Sequence, residues 1–322
     1  DAVYNVYATV ADVNDGVHRV EFYWHNQEWQ VGLWELVGTD WNGSDGWSAA
    51  FDPDGEPEGQ GAAIFVTAYD RAGNSTSLGA WNLIIDKAPP SSAMAPLNSS
   101  QLSTAYTTHW SGTDNLSGIW YYELQQSVNG GAWADMGQID GALTSLWMVG
   151  EAGKSYQYRM HAIDKAGNTE DYPSSAEAST SLPSASTLCS SLDSYEAGGS
   201  DNGPGTASEI TLNGAAQVHN FCNPLVADYL FDEDWVALPI QAGVTYYFEA
   251  VPLAEQSAAI LSLVAGDGVS LLAEAAPSTL GERSALRWTA GSNGSIYLVM
   301  RHLDGRVIGS TVAYQVLVKT GY

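Results

Sequence analysis

Oxygen-bearing side chains at two places in the last third of the sequence could bind a divalent cation. Ca²⁺ is a hard cation that takes about six to eight oxygen ligands from carboxylates, amides and carbonyls. Residues 184–282 contain thirteen acids and no Lys or Arg, so this segment would attract cations. The alternative interpretation is that these acids lie on two solvated loops, where Asp and Asn favour turns. The candidate ligands are Glu196, Asp201 and Asn202 on one loop, and Asp232 and Asp234 on a second.

Catalytic motifs are missing from the sequence. It contains no G-x-S-x-G, no H-E-x-x-H, no phosphate-binding glycine loop and no C-x-x-C. The six histidines are scattered singly, without the spacing of metal ligands. We therefore predict that the chain is not an enzyme.

The charge balance and the length of the apolar runs exclude two classes of partner. Asp and Glu number 37 while Lys and Arg number only 11, which gives a net charge of −26. A protein that binds nucleic acid needs a basic patch, and this chain cannot assemble one. No apolar run is long enough to span a membrane. We expect neither nucleic-acid binding nor membrane insertion.

The elements that must position the candidate ligands are short β-strands. Polar turn clusters recur every few residues, and apolar residues alternate with polar ones in segments such as 20–24, 156–160 and 314–318. Residues 253–265 have helical propensity, but the GDG turn that follows them favours a hairpin. The sequence predicts an all-β fold.

An internal repeat and two Pro/Ser-rich stretches divide the chain into three parts. VTAYDRAGNST (66–76) recurs as MHAIDKAGNTE (160–170), at a spacing typical of one β-sandwich. In both copies, Asp70 and Asp164 are expected to accept backbone N–H groups in a tight Ala-Gly-Asn turn. The predicted domains are residues 1–88, 89–184 and 185–322.

The first two parts resemble known bacterial modules. Residues 1–88 resemble an Ig-like module, with the D-x-x-x-G-V opening at Asp12, the W-x-L-V-G strand at Trp34 and the D-x-A-G-N hairpin. Residues 89–184 resemble a fibronectin type III-like module, with HWSGTDNLSGI, the GGAW hairpin and YRMHAIDKAGN. The resemblance implies that both fold as β-sandwiches.

The third part resembles the bacterial pre-peptidase C-terminal domain. The similarity lies in DSYE (193–196), QVHNFC (217–222), DEDWVAL (232–238), AGVTYYFE (242–249) and the closing YQVLV. This family has a jelly-roll-like β-sandwich that is appended to secreted hydrolases. The resemblance therefore predicts three consecutive β-sandwich domains in an extracellular or cell-surface protein.

The same resemblance implies a Ca²⁺ site and a disulfide. In the family, acids at the two places named above can meet around Ca²⁺, although the usual short Glu-x-Asn-Asp run is stretched here to EAGGSDN. The family pattern also places the HNFC strand beside the domain entrance, where Cys189 lies. It therefore favours a Cys189–Cys222 disulfide over two buried thiols.

Tryptophans are concentrated between residues 24 and 47. Trp24, Trp34 and Trp47 fall at positions where a core residue or the start of a strand is expected. Trp29 and Trp41 lie in polar connections without a core to fill. Because exposed Trp stacks on sugar rings or anchors partner surfaces, these two are the candidates for ligand or partner contact.

The beginning of the chain suggests how subunits could associate. Ig-like modules normally start with a strand before the one that residues 3–12 represent, and we expect this first strand to be missing. A sandwich without it exposes unpaired backbone groups, which a strand from a neighbouring molecule could pair with. A sandwich that makes do with fewer strands is the alternative.

We expect a non-catalytic extracellular protein of cell-surface adhesion or assembly. Its partners would be neighbouring copies of itself or an extracellular polymer. The alternative is the C-terminal ancillary region of a secreted peptidase or glycosidase, which would hold substrate near a separate catalytic domain.

Overall fold

The computed structural model describes residues 3–14, 16–25, 34–196, 201–223 and 225–321. Its strands form three consecutive β-sandwiches, and no described strand is shared between them. The all-β fold predicted from the turn spacing is confirmed. No helix in these ranges is long and apolar enough to cross a membrane. The helical segments are one short α-helix and two 3₁₀ turns: Ala185–Leu188 (α1), Gly43–Asp45 and Pro53–Gly55.

Within the described residues, the first sandwich is built from six strands. They are Tyr4–Ala8 (β1), Val17–His25 (β2), Glu35–Asp40 (β3), Trp47–Phe51 (β4), Gly59–Asp70 (β5) and Ser75–Ile85 (β6). Strands β1 and β4 form one sheet, and the other has the order β3-β2-β5-β6. Because side chains alternate along a strand, Val20, Phe22 and Trp24 share the buried face of β2, as predicted.

The second sandwich is built from seven strands. They are Ser91–Met94 (β7), Ala105–Thr113 (β8), Ile119–Val128 (β9), Ala134–Asp140 (β10), Ser145–Val149 (β11), Ser155–Asp164 (β12) and Ala178–Ser181 (β13). The sheets have the orders β11-β8-β7 and β10-β9-β12-β13. Tyr156, Tyr158 and Met160 face the core from β12.

The first two sandwiches share one arrangement but differ at one edge. In the second, β8 pairs with both β11 and β7. Its counterpart β1 pairs with β4, and no described strand pairs with the other edge of β1. Val3, Tyr4 and Tyr7 are exposed there. The described part of the first sandwich thus has no counterpart of β7.

The repeated Ala-Gly-Asn turns have the hydrogen bonds expected from the sequence. The backbone N–H of Asn74 donates to Asp70 at 2.7 Å, and that of Asn168 donates to Asp164 at 2.8 Å. Gly73 and Gly167 have φ of +91° and +94°, a conformation that glycine adopts without strain.

The third sandwich is built from nine strands in the part of the chain that the structure describes. They are Ser208–Glu209 (β14), Gln217–Asn220 (β15), Glu233–Ile240 (β16), Thr245–Pro252 (β17), Ala259–Ala265 (β18), Leu271–Ala275 (β19), Ser284–Thr289 (β20), Gly294–His302 (β21) and Ala313–Thr320 (β22). The sheets have the orders β14-β16-β21-β18-β19 and β15-β22-β17-β20, and only the β14–β16 pairing among them is parallel. Strands β18 and β19 are antiparallel, so the hairpin expected at the GDG turn (266–268) is confirmed.

Direct hydrogen bonds join each sandwich to the next. At the first joint, the Asp86 carboxylate accepts from the Ser117 backbone N–H at 2.8 Å, and the Asn168 side chain donates to the Asp86 carbonyl at 2.9 Å. At the second, Thr104 donates from its hydroxyl to the Arg306 carbonyl and accepts from the Ile308 N–H, both at 2.9 Å. The Thr104 N–H also donates to the Ile308 carbonyl.

Candidate metal centre

Two loops and two strands bring acidic side chains together at one end of the third sandwich. Glu196 and Asp201 come from the loop that enters the domain after α1, and Asp232 and Asp234 lie at the start of β16. Strand β15 carries His219 to the same place because it pairs with the C-terminal strand β22. The two places that the sequence singled out are thus adjacent in space.

Three of the predicted ligands form a compact buried group. Oxygen atoms of Glu196, Asp201 and Asp234 lie within 4.8 Å of one another, and all three side chains are almost completely buried. Both oxygens of Glu196 and of Asp201, and Oδ1 of Asp234, have no hydrogen-bond donor among the described residues. Buried polar groups are almost always hydrogen-bonded, so these oxygens are in the arrangement expected of ligands to a cation.

The side chains of the other two predicted ligands already form hydrogen bonds within the protein. Asp232 Oδ2 accepts from the Cys222 backbone N–H at 2.9 Å, while its Oδ1 is buried without a donor among the described residues. The Asn202 amide accepts from the Glu233 N–H at 3.1 Å and donates to Asn223 at 3.2 Å. Asp232 therefore has an oxygen to offer to a cation, whereas Asn202 fixes the loop against β16.

The electrostatics of the group favour a positive charge within it. Burial raises the pKa of Glu196 to about 9, and the neighbouring charges of Asp232 and Asp234 add to the shift. Burial, together with the charge of Asp234, also raises the pKa of Asp232 to about 9. Burial raises the pKa of Asp201 and holds that of Asp234 well above its usual range. Without a cation, several of these carboxyls would have to be protonated at neutral pH.

Two residues that the sequence did not single out as ligands complete the surroundings. His219 is fully buried, and its Nδ1 lies 3.3 Å from Asp234 Oδ1 and 3.7 Å from Asp201 Oδ2. Asp193 Oδ2 lies 3.9 Å from the same nitrogen and accepts the Asn220 backbone N–H. Asp193 and His219 both fall within the motifs DSYE and QVHNFC, but only the pairing of β15 with β22 shows that they meet.

Aromatic rings hold His219 and Asp234 in place. The His219 imidazole stacks on Tyr195, with ring centroids 4.6 Å apart, and on Tyr314, at 5.7 Å. The Tyr314 hydroxyl donates a hydrogen bond to Asp234 Oδ2, which leaves Oδ1 directed toward His219.

The predicted disulfide is present and lies beside this group. Cys189 and Cys222 are bonded, with Cα atoms 5.7 Å apart and a sequence separation of 33. The closed loop contains Asp193, Glu196, Asp201 and His219. The disulfide thus fixes both ends of the segment that carries these four residues.

The tryptophans singled out between residues 24 and 47 differ in their surroundings. Trp41 is 61% exposed and contacts His18 and Arg19, whereas Trp29 lies outside the described residues. Trp34, at which the Ig-like pattern expects an apolar residue, has a side chain that is 36% exposed. It packs against Phe65 and Trp81 on the outer face of the four-stranded sheet, because it precedes β3 and does not continue the inward alternation.

A second acidic group lies at the joint between the first two sandwiches. Asp86, Asp114 and Asp164 approach one another within 4.8 Å. Unlike the group in the third sandwich, these carboxylates accept many backbone N–H groups, from Ala88, Leu116, Ser117, Gly118, Ala166 and Asn168. Their main contribution is to fix the turns of the joint.

Comparison with known proteins gave partial similarities to solved structures. No protein-family model and no curated protein sequence matches it. Among solved structures, it is similar to the pre-peptidase C-terminal domain of a collagenase from Bacillus anthracis (13% identity, 35% of this chain and 94% of that one, TM-score 0.28). It is also similar to a two-domain fibronectin type III segment of chicken tenascin (14%, 52% and 87%, TM-score 0.22). A third is the periplasmic lysozyme inhibitor PliG of Aeromonas hydrophila (10%, 36% and 96%, TM-score 0.26).

Proposed function

We propose that this chain is a non-catalytic extracellular modular protein of cell-surface adhesion or assembly, and that a divalent cation, Ca²⁺, holds its third sandwich together. The observation that carries the proposal is the set of buried carboxylate oxygens without donors on Glu196, Asp201, Asp232 and Asp234. Burying four carboxyls in one place destabilises a fold unless a cation neutralises them. Oxygen is the donor that Ca²⁺ prefers.

The ligands of the proposed ion are four carboxylates on two elements. Glu196 and Asp201 would bind from the entering loop, and Asp232 and Asp234 from the start of β16. A cation bound between them links the loop to the sheet, so that the ion acts as a structural cross-link.

The adhesive or assembly role is supported by the arrangement of the modules. Three sandwiches follow one another with hydrogen-bonded joints at Asp86 and Thr104. The disulfide suits an oxidising compartment outside the cytoplasm. Neighbouring copies of the chain, or an extracellular polymer, are the proposed partners, and the unpaired edge of β1 is the surface proposed for a copy.

Thermal unfolding of the full chain tests the cation. We expect excess Ca²⁺ to raise the Tm of the third sandwich relative to chelator, because an ion that binds only the folded state at about 100 times its Kd adds about 2.7 kcal/mol of stability. Asp234→Asn should abolish the response. Glu255→Gln, which changes an exposed carboxylate of the same sandwich, should retain it. Identical melting curves with Ca²⁺ and with chelator would contradict the proposal.

A further inference from the structure

We propose that His219 Nδ1 is itself a metal ligand and that the His219 side of the centre binds a divalent transition ion of the Zn²⁺ type. The inference rests on the cation centre of the proposed function and adds a nitrogen donor to it. The three carboxylate oxygens nearest to this nitrogen, at 3.3, 3.7 and 3.9 Å, belong to Asp234, Asp201 and Asp193.

The hydrogen bond on the other side of the ring orients the imidazole for this role. His219 Nε2 lies 3.4 Å from Gln217 Oε1. The Gln217 amide is itself fixed, because its Nε2 donates to the Glu209 carbonyl at 2.7 Å. Gln217 therefore presents an acceptor, and His219 Nε2 carries the proton that donates to it. A histidine that binds a metal through one nitrogen commonly donates the other N–H to such an acceptor.

This tautomer leaves a lone pair on Nδ1 in a negative environment. The nitrogen is buried, and no described group forms a hydrogen bond with it. A lone pair that faces three carboxylates is repelled by them unless a cation lies between. The distance of 3.3 Å to Asp234 Oδ1 matches the separation of about 3.3 Å between two ligands of a tetrahedral ion with bonds of about 2.0 Å.

The donor set selects the class of ion. Imidazole nitrogen suits Zn²⁺ and its neighbours in the transition series, whereas Ca²⁺ and Mg²⁺ are bound almost entirely by oxygen. The Glu196 carboxylate forms a trio with those of Asp201 and Asp234, and this trio contains no nitrogen donor. Two trios that share Asp234 are therefore built for different ions: Glu196, Asp201 and Asp234 for a hard cation, and Asp193, His219 and Asp234 for a transition ion.

Zn²⁺ titration of the full chain, in competition with a chelator of known affinity, tests the inference. His219→Gln should lower the Zn²⁺ affinity at least about tenfold, the scale on which even supporting residues of metal sites act. The matched control is His302→Gln, because His302 is also buried in the third sandwich but contacts two backbone carbonyls, those of Asp304 and Gln256. It should leave the Zn²⁺ affinity unchanged.

The outcomes separate the inference from the proposed function. The inference is overturned if His219→Gln and wild type have the same Zn²⁺ affinity, or if the wild-type chain does not bind Zn²⁺. The proposed function is tested separately, by the thermal unfolding curves with Ca²⁺ and with chelator. If His219→Gln does not fold, ¹⁵N NMR of the histidine-labelled wild-type chain decides. A shift of the His219 Nδ1 resonance on addition of Zn²⁺ supports ligation, and a resonance that does not move overturns it.

Discussion

At the scale of single residues, the two oxygens of Asp234 have different environments. Oδ2 accepts a hydrogen bond from Tyr314, while Oδ1 faces His219 and has no donor among the described residues. One oxygen is thus used to hold the side chain and the other is left available. The same division is found in Asp232, whose Oδ2 accepts the Cys222 N–H. Ligands that are held by one oxygen lose little freedom when the other binds an ion.

The raised pKa values of the centre predict an unusual pH dependence in the presence of chelator. The folded-state pKa of Glu196 and Asp232 is about 9, against ordinary values of 4.5 and 3.8. The folded protein therefore holds more protons on these two groups than the unfolded chain does, and the stability that they contribute is fully present below about pH 4 and is lost as the pH rises toward 9. We expect the Tm in chelator to fall over this range. Saturating Ca²⁺ should remove most of the decline, since the ion replaces the protons.

Melting curves at a series of pH values, with Ca²⁺ and with chelator, measure this effect. The Asp234→Asn variant supplies the control, because it removes one charge from the group and should flatten the profile in chelator. A Tm in chelator that stays constant or rises between pH 5 and pH 9 would show that the carboxyls are not protonated together in the folded state.

At the scale of elements, the sequence was enough to predict local features. It was enough to predict only part of the site that the elements assemble. The Ala-Gly-Asn turns and the inward faces of β2, β12 and β22 depend on neighbouring residues, and they form as expected. His219 looks like any strand residue in QVHNFC, because its role depends on the pairing of β15 with β22, nearly a hundred residues away. The exposure of Trp34 has a related reason: the face that a residue occupies just before a strand is not determined by alternation within it.

The loop closed by the disulfide predicts that the third sandwich depends on Cys189 and Cys222. In the chain-entropy model, closing a loop of about thirty residues stabilises a fold by about 3–4 kcal/mol. We expect the Cys189→Ser, Cys222→Ser double variant to lose about this much free energy of unfolding in urea denaturation. It should also bind Ca²⁺ more weakly, because Glu196 and Asp201 lie within the freed loop. An unchanged urea midpoint for the third sandwich would argue that the disulfide adds no constraint.

At the scale of the whole molecule, the chain is a series of three modules, and no described strand pairs with the second edge of β1 in the first of them. The two joints are fixed by backbone and side-chain hydrogen bonds at Asp86 and Thr104. A substituted side chain at Gly309 would meet the Leu102 carbonyl at 2.8 Å, so the second joint is also closely packed. Ordered modules of this kind present the edge of β1 in a defined position.

The unpaired edge of β1 predicts that the first sandwich accepts an added strand. A synthetic peptide of residues 89–97, which include β7, should pair with β1 as β7 pairs with β8 in the second sandwich. We expect slower amide hydrogen exchange in β1 and a higher Tm of the first sandwich with the peptide. A scrambled peptide of the same composition should have no effect. If both peptides leave exchange in β1 unchanged, this edge does not bind strands, and light scattering should find the chain monomeric.

The position of Tyr314 has a mechanical consequence. This residue lies on β22, and its hydroxyl donates a hydrogen bond to Asp234 in the candidate metal centre. Tension applied to the chain beyond β22 would therefore pull on the centre through one side chain, and on His219 through the β15–β22 pairing. A bound ion would tie that strand to the loop behind the disulfide. If the chain is adhesive and binds a cation, as proposed, the local concentration of cations would set the force at which the third sandwich opens under shear.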